Sequence, residues 1–480
     1  MMKRVALGIA AAAFLLIAIV VIRTIMIAGP AVQIAAVETP LAPIEANLVA
    51  QRVSQAIKYQ TVSSGDGAKE AEKTTALRAM QQWMDQTYPY FHDQAGPEVF
   101  GESLLFTWHG TNPNLPPVLL IAHMDVAPVA DGTEKEWTHA PFSGDIADGF
   151  VWGRGAIDSK GPLIAMLEAG ERLARSGFQP DRTIMFAFGE DHETGGVKGS
   201  AIAKALTTRG TRFDWVLDEG SSIMNEPYPG VRQPVAFIGT AEKGLLSLEL
   251  VAHGEGGLAV QRLSNAISKV TNDPFDSDID SIQRAKFDVL MPMLPMSDRA
   301  MLANLWLTKP LLMRRLEVVP DLASVLHTTI SPAIPSAGTK ENTAPQTATG
   351  VIDFRLHQRD SVASVISRVR DTIDDDQVDV NEREETLAEP SGIVALDNPA
   401  YIHLSDMIKA EFGVPTAPEL MNYATDSRYY LGIADAVLRF RPFRAELTDL
   451  PRIHGTDERV SVEDLGKAAG FYMRLIQDLK

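Results

Sequence analysis

Histidine and acidic residues recur at the ends of predicted buried strands. The apolar run 118–122 is followed by His123 and Asp125, whose side chains point the same way because residues i and i+2 of a strand share a face. The next buried strand runs into four consecutive ionisable residues, which include His192 and Glu193. Such a cluster beside a buried strand is costly unless its members are paired or bind a metal. These positions are therefore candidates for chemistry.

Three further segments carry side chains of the same kind. A glycine-rich turn presents Asp158 before a predicted helix, another strand ends in Asp218 and Glu219, and His454 lies far downstream. Each segment alone also fits a structural role, such as a histidine–aspartate pair, a helix N-cap or a solvated charge run. Together, imidazole and carboxylate ligands suit zinc, or manganese or cobalt. Two such ions about 3.5–4 Å apart can share one carboxylate and hold an attacking water.

Alternating strands and helices must position these residues. The runs 118–122, 183–188 and 215–217 are continuously apolar, as buried strands of an α/β sheet usually are. A helix is predicted from Pro162 to about Arg175. In such folds the sites lie at the carboxyl ends of the strands. We therefore expect an α/β catalytic domain with an open mixed sheet flanked by helices.

The pattern changes near residue 240 and returns after about residue 395. Residues 244–251 and 347–356 alternate like half-exposed strands, and a helix-rich stretch, roughly 258–318, separates them. This predicts an inserted α+β lid domain at 243–358. The lid would divide the catalytic domain into two segments, the first at 45–242 and the second at 359–480.

The N-terminal segment is expected to lie outside the globular fold. Lys3 and Arg4 precede an apolar run of eighteen residues, 5–22, which is close to the roughly 20 that span a bilayer and long for a cleaved signal peptide. Basic residues before the run place the N-terminus inside. We expect a membrane anchor at 1–28, a linker at 29–44 and a body outside the cytoplasm, secreted if the segment is cleaved.

Charge and composition exclude several function classes. The net charge of −18 argues against a nucleic-acid partner, because phosphate binding needs a basic face. The chain has no cysteine, which excludes disulfides, thiolate metal sites and cysteine nucleophiles.

Five motifs occur in a fixed order: Ala-His-Met-Asp (122–125), Gly-Arg-Gly-Ala-Ile-Asp (153–158), Glu-Thr-Gly-Gly (193–196), Leu-Asp-Glu-Gly (217–220) and Ile-His-Gly-Thr-Asp-Glu-Arg (453–459). Through them the chain resembles the M20 metallopeptidase family, especially the branch of carboxypeptidase S and the N-acyl-amino-acid hydrolases. The resemblance runs from about residue 45 to the C-terminus. It implies a two-metal amidohydrolase or carboxypeptidase that cleaves small N-acyl amino acids or peptides next to a free carboxylate.

The resemblance also implies a metal-binding role for five residues. His123 and His454 would each bind one of two divalent ions, with zinc the favoured metal. Asp158 would bridge both ions. Glu193 and Asp218 would each complete one site.

Substrate-binding residues follow from the same resemblance. Asn342 and Arg355 on the lid, with Arg428 from another segment, would hold the substrate carboxylate. The planar guanidinium suits this task because it can bind a carboxylate bidentately. A surface ion pair is the alternative for each arginine. The lid is also where we expect a homodimer, if one forms.

The catalytic residues are expected to be Asp125, which would orient His123, and His192. Members of the family carry a glutamate as general base where this chain has His192. Histidine can act as a base near neutral pH, but an imidazole there could instead bind a metal and block the site.

Two other positions depart from the family pattern. Leu258 stands where a lid histidine would help to stabilise the tetrahedral intermediate, and His253 and His327 are the lid histidines that could replace it. Ser159 follows Asp158 where close members of the family have a second aspartate. Two interpretations therefore stay open: a hydrolase that uses His192 as base, and a metal-binding relative with impaired or no activity.

Overall fold

The protein is described here from a computed structural model. It covers residues 2–27 and 44–479, apart from 66, 68, 229, 256, 334–335, 338–343 and 384–386. Most of the expected linker at 29–44 lies outside the described residues.

Fourteen α-helices alternate with strands along the described part of the chain. They are α1 (Met2–Ile27), α2 (Ala46–Ile57), α3 (Glu70–Thr87), α4 (Pro89–Ala95), α5 (Lys160–Arg175), α6 (Ser200–Thr208), α7 (Leu258–Thr271), α8 (Ser281–Leu290), α9 (Met296–Ala303), α10 (Leu305–Glu317), α11 (Pro320–Ser324), α12 (Val362–Ile373), α13 (Pro399–Phe412) and α14 (Val462–Asp478).

The strands of the described part of the chain form three sheets. They are β1 (Pro97–Phe100), β2 (Ser103–Trp108), β3 (Val118–His123), β4 (Ile146–Ala147), β5 (Phe150–Trp152), β6 (Ile184–Gly189), β7 (Phe213–Asp218), β8 (Ile223–Met224), β9 (Val235–Glu242), β10 (Gly244–His253), β11 (Thr329–Pro332), β12 (Ser336–Ala337), β13 (Thr347–Leu356), β14 (Val378–Glu382), β15 (Thr416–Met421), β16 (Ala434–Arg439), β17 (Arg444–Ala445) and β18 (Arg459–Ser461).

The largest sheet is mixed, as expected, and runs in the order β1-β2-β6-β3-β7-β16-β9-β8-β17, with β15 beside β9. Its centre is parallel, because β3 pairs with β6 and β7 and β16 pairs with β7 in the same direction. One face packs on α2, α4, α5 and α14 through a large apolar core. The other face packs on α6 and the turn that contains Tyr430. The central strands therefore end at one edge of the sheet.

A second sheet, in the order β11-β13-β10-β14 with β12 on β13, forms the lid. The half-exposed strands expected at 244–251 and 347–356 are confirmed as β10 and β13. However, α12 shares the apolar core of this sheet and β14 pairs with β10. The expected lid boundary at residue 358 is therefore wrong, since the unit continues to Glu382. The error arose because a helix followed by a strand resembles a return to the α/β pattern.

The later part of the expected helical stretch, together with α11 beyond it, forms a unit of its own. Helices α8 to α11 and the short turns between them bury a separate apolar cluster, which includes Phe287, Leu302 and Leu316. Helix α8 packs on β15 of the large sheet. We call residues 281–324 the helical insertion. The lid sheet thus stands apart from the catalytic sheet, whereas the insertion lies against it.

A small sheet, in the order β18-β5-β4, joins distant regions of the chain. β18 pairs antiparallel with β5, so that Arg459 lies opposite Trp152. This pairing brings the segment before β18, which contains His454, next to the turn that follows β5 and contains Asp158.

Among the described helices, α1 contains the stretch that is long and apolar enough to cross a membrane, Arg4–Ile27, with a mean hydropathy of 3.1. Its apolar side chains, such as Phe14 and Met26, are exposed in the protein alone. This is the segment in which the sequence predicts an anchor.

Candidate metal centre

The predicted site residues converge at the carboxyl edge of the central parallel strands. His123 ends β3, a short 3₁₀ turn (His192–Thr194) follows β6, and Glu219 follows β7. Because these three strands are parallel neighbours, their following loops meet at one place. Asp158 and His454 are brought to the same edge by the small sheet.

Asp158 lies between two imidazoles. Its Oδ1 is 3.0 Å from His123 Nε2 and its Oδ2 is 3.1 Å from His454 Nε2. One carboxylate thus faces two separate nitrogen donors, which is the arrangement that the predicted bridging role of Asp158 requires.

The turn that carries Asp158 is held by Glu458, a residue that sequence reasoning missed. Glu458 is fully buried, and one of its oxygens accepts from Ile157 N at 2.8 Å and Asp158 N at 3.1 Å. The other accepts from Gly155 N at 2.9 Å and pairs with Arg154 Nη1 at 2.7 Å. Its position inside the same motif as His454 was the available clue.

Glu193 lies on the His454 side of the cluster. Its Oε2 is 3.1 Å from His454 Nε2, and its Oε1 accepts a hydrogen bond from Ala127 N at 3.0 Å. Glu193, Asp158 and His123 also form a group whose donor atoms lie within 4.8 Å of one another. Glu193 and Asp158 thus each present a carboxylate oxygen to His454 Nε2.

Glu219, rather than Asp218, lies on the His123 side. Glu219 Oε1 is 3.3 Å from His123 Nε2. Asp218 accepts from Ser427 N at 2.7 Å and from Glu219 N at 2.8 Å. Asp218 is the last residue of β7 and Glu219 is the next, so their side chains point in opposite directions. The expectation that Asp218 is a ligand is corrected: it anchors the segment around Ser427, and Glu219 faces the cluster.

His192 belongs to the cluster and contacts an aspartate that was not singled out from the sequence. Its ring stacks on His123 with centroids 4.2 Å apart. His192 Nδ1 is 3.2 Å from Asp426 Oδ1, and His192 Nε2 is 3.3 Å from Glu219 Oε1. A Cβ on Gly196 would lie 2.2 Å from Asp426 Oδ1. The glycine of the Gly-Gly motif therefore leaves the space that Asp426 occupies.

Asp125 contacts both His123 and the turn that contains His192 and Glu193. Its backbone oxygen is 2.9 Å from His123 Nδ1, which leaves Nε2 as the free donor atom of the neutral ring. Its carboxylate accepts from His192 N and Glu193 N, each at 3.1 Å. Asp125 was expected to orient His123, and in the structure it also contacts the turn that carries His192 and Glu193.

The acidic groups make the cluster strongly attractive to positive charge. Burial raises the pKa of Asp158, but hydrogen bonds from His123 and His454 outweigh it and hold that pKa well below its usual range. Hydrogen bonds to Asp158 and Glu193 raise the pKa of His454 to about 10. Burial and His123 lower the pKa of His192, yet Asp426 and Glu219 raise it overall to about 10.

The donor set fits divalent cations. Glu219 Oε2 is buried and accepts no hydrogen bond among the described residues, which leaves an oxygen available to a cation. Arg441 Nη1 lies 3.7 Å from this oxygen and supplies a fixed positive charge beside it. Imidazole nitrogens and carboxylate oxygens without thiolate are the ligands of a hydrolytic zinc-type site.

The predicted substrate residues differ in how they are placed. Arg428 donates to the carbonyl of Gly195 and, at 2.8 Å, to the hydroxyl of Tyr429, so it lies beside the His192 turn. Arg355 lies near the end of β13. Desolvation of its guanidinium and the nearby Arg428 lower the pKa of Arg355, although Asp353 opposes that shift. The lid and catalytic arginines therefore approach each other. Asn342 lies outside the described residues.

The lid histidines have partners of their own. His253 Nε2 is 2.9 Å from Asp379 Oδ2 on the exposed lid surface. His327 Nδ1 is 3.3 Å from Ser277 Oγ. Leu258 is half exposed at the start of α7. These contacts do not bring His253 or His327 to the cluster, so neither replaces the missing lid histidine in this conformation.

Glu458→Gln is expected to destabilise the protein by about 3–5 kcal/mol, because it leaves the buried Arg154 without its charge partner. Thermal unfolding followed by near-ultraviolet circular dichroism measures the change. Glu463→Gln is the matched control: Glu463 pairs with Lys467 on the surface, where loss of the pair costs roughly 0–1 kcal/mol. Equal losses in the two variants would contradict the role given to Glu458.

Comparison with known proteins places this geometry in a family. Residues 119–478 match the model of peptidase family M20/M25/M40. Over 453 residues the chain is 34% identical to a probable carboxypeptidase S-like 2 from Dictyostelium discoideum, covering 92% of this chain and 86% of that protein. It is 33% identical over 462 residues to an N-fatty-acyl-amino acid synthase/hydrolase, PM20D1, from Xenopus tropicalis, covering 92% and 87%.

Solved structures agree in fold. An M20 family metallo-carboxypeptidase from Sulfolobus solfataricus superposes with a TM-score of 0.62 at 17% identity, covering 89% of this chain and 98% of that one. The family match spans most of the chain, and it includes the cluster built around Asp158. The chain belongs to peptidase family M20, a family of metal-dependent hydrolases.

Proposed function

We propose that this chain is a two-metal amidohydrolase that cleaves small N-acyl amino acids or peptides next to a free carboxylate. The observation that carries the proposal is the position of Asp158, whose two oxygens face His123 at 3.0 Å and His454 at 3.1 Å. A carboxylate in that position suits two cations, one on either side, and paired cations are a common device for hydrolysis.

Two ligand sets would share Asp158. His123 and Glu219 would complete one, and His454 and Glu193 would complete the other. Zinc fits this mixture of nitrogen and oxygen donors best. When bound, such ions polarise the scissile carbonyl and lower the pKa of an attacking water.

His192 would accept the proton of the attacking water. Asp426 lies 3.2 Å from Nδ1, so it would hold the ring with Nε2 toward the cluster and stabilise the imidazolium that forms. Among the carboxylates alone the pKa of His192 is raised to about 10. That pKa would fall once bound cations neutralise Glu219, bringing the ring into the range useful for base catalysis near pH 7.

Arg355 and Arg428 would hold the substrate carboxylate. They come from the lid and the catalytic domain, and the charge of Arg428 acts on Arg355. Two cations close enough to repel each other favour an anion between them. Lid closure would bring Arg355 onto the substrate and exclude water. Leu258 offers no hydrogen-bond donor where a histidine would serve, and a lost oxyanion donor costs about 10²–10³ in rate. We therefore expect a slow enzyme.

The relatives support this substrate class. One is named as a carboxypeptidase S-like protein and another as an N-fatty-acyl-amino acid synthase/hydrolase. The bonds implied by both names are amides beside an α-carboxylate. We further propose that α1 anchors the chain in a membrane, with the body outside the cytoplasm, because basic residues precede its apolar run.

A metal-binding chain without hydrolytic activity is the second candidate. The observation that favours it is that His192, His123 and Glu219 also have donor atoms within 4.8 Å of one another. His192 could then bind a cation through Nε2 and occupy the place of the water. In that case substrate would bind without turnover.

The test is a substrate panel with the purified full-length chain in detergent. N-acyl amino acids with short and long acyl chains, dipeptides, and the same compounds with the carboxylate amidated are incubated, and products are measured by mass spectrometry. We expect turnover of the free acids and little turnover of the amidated compounds. Two metal ions per chain without any turnover would favour the inactive candidate.

Arg355→Ala is expected to raise KM for N-acyl amino acids about 10–100-fold, since a hydrogen bond to a charged group contributes about 1.5–3 kcal/mol. Amidated substrates should change little. Arg368→Ala is the matched control, because Arg368 is a lid arginine that pairs with Asp273 at 3.0 Å. An equal effect of Arg355→Ala on acids and amides would exclude carboxylate recognition by this residue.

A further inference from the structure

The C-terminal end of α1 docks on the turn between α9 and α10. Arg23 donates to the carbonyl of Ala303 from Nε and Nη2, each at 3.4 Å. Asn304 Nδ2 lies 3.3 Å from both the carbonyl of Val20 and the hydroxyl of Thr24. Thr24 and Asn304 are buried by this contact. The last turns of the apolar helix are therefore fixed to the helical insertion.

The length of α1 sets the depth at which this contact would lie in a membrane. An α-helix rises about 1.5 Å per residue, so the twenty residues from Val5 to Thr24 span about 30 Å, the thickness of the hydrocarbon core. If α1 spans the membrane from Val5, Thr24 reaches the outer boundary of that core. The Ala303–Asn304 turn is then held beside the headgroups.

The helix that follows this turn exposes apolar side chains. Trp306, Leu307 and Leu311 are 57%, 46% and 59% exposed, and we call them the α10 outer face. The opposite side of α10 is already buried in the core of the insertion. An exposed apolar face on a helix whose other side is packed indicates a contact with something absent from the protein itself.

We propose that the α10 outer face lies in the interfacial layer of the bilayer, so that the helical insertion is a second membrane contact beside the anchor. This inference rests on the anchoring role proposed for α1. Tryptophan favours the headgroup level, and Trp306 follows the docked Asn304 by two residues. Arg314, exposed one turn beyond Leu311, would reach the lipid phosphates.

The position of the α10 outer face next to α1 favours a lipid bilayer as its binding partner. The patch begins at the point where the membrane helix is already bound, so any partner must share that place with lipid. The consequence is a catalytic body held close against the surface, since α8 of the same insertion packs on β15 of the large sheet. Amphiphilic acyl substrates would then meet the enzyme at the membrane.

Tryptophan fluorescence tests the inference in the full-length chain. The chain has six tryptophans, and the other five lie buried or half-buried in the catalytic domain, at positions 83, 108, 137, 152 and 215. The chain is reconstituted in phosphatidylcholine vesicles whose acyl chains carry bromine near the glycerol. We expect Trp306→Phe to lose most of the lipid-quenched emission. Trp83→Phe, the matched control, should keep it.

Four results would overturn the inference. Quenching that survives Trp306→Phe would place Trp306 away from lipid, as would quenching of Trp306 by aqueous iodide in vesicles. A Trp306 shielded from both quenchers would instead be covered by a second copy of the chain. A chain that alkaline carbonate removes from the vesicles would overturn the anchor together with this contact, while hydrolysis of soluble substrates would still stand.

Discussion

Asp158→Ala is expected to reduce the metal content from two ions per chain to less than one and to lower hydrolysis by more than about 10³-fold. The carboxylate is the group shared by His123 and His454, so its loss weakens both proposed sites at once. Metal catalysis contributes several kcal/mol, and each 1.4 kcal/mol is a factor of ten in rate. Elemental analysis of the purified protein and the substrate panel measure the two effects.

A pair of adjacent residues supplies the control. Glu219→Gln should lower the metal content, because Glu219 Oε1 lies 3.3 Å from His123 Nε2. Asp218→Asn should leave the metal content unchanged, because Asp218 binds Ser427 N. If Asp218→Asn lost metal and Glu219→Gln did not, the assignment of the ligand would have to be reversed.

His192→Ala is expected to lower kcat by about 10²–10⁴, the usual contribution of a general base, while the metal content stays near two ions per chain. Asp426→Asn should also lower kcat, since Asp426 contacts His192 Nδ1. The double variant should be little worse than His192→Ala alone, because residues that act as a unit are not additive. Steady-state kinetics on one N-acyl amino acid measure kcat for the two single variants and the double variant.

His253→Ala is the matched control for this series, because His253 forms a similar contact with Asp379 on the lid surface. It should leave kcat unchanged. A loss of metal in His192→Ala would show that the ring is a ligand. A large rise of activity in His192→Glu would show that the natural chain is a disabled member of the family.

The sequence predicted that the site residues lie together at one edge of the sheet, because they follow parallel strands. His123 and the turn with His192 and Glu193 follow neighbouring strands of one direction, and that direction alone brings their loops together. The role of His454 came from the family resemblance. No local pattern shows that β18 pairs with β5.

The choice between Asp218 and Glu219 could not be made from the sequence. The two residues are consecutive at the end of β7, so one must face the cluster and the other must face away. Which one does so depends on where the strand stops relative to the site, and this is set by packing. Asp426 was missed for a related reason: its contact with His192 joins segments more than 200 residues apart.

The end of the lid domain was predicted wrongly for a different physical reason. α12 has a strongly apolar face, with Val365, Ile366 and Val369 buried, and a helix of this kind can cover either sheet. Only the pairing of β14 with β10 decides that it belongs to the lid. The pairing of two strands so far apart in the chain carries no local sequence pattern.

The path of the chain through the cluster has a consequence for when the protein acquires its ions. His454 and Glu458 reach Asp158 from about 300 residues downstream. At about 5–20 residues per second, a ribosome needs roughly 15–60 s to add them after Asp158. Until then the turn with Asp158 lacks both its second imidazole and the buried glutamate that shapes it. The proposed ligand set of His454 and Glu193 would therefore fill only after residue 458 has been added, and a body exported while still unfolded would draw its ions from the compartment in which it folds.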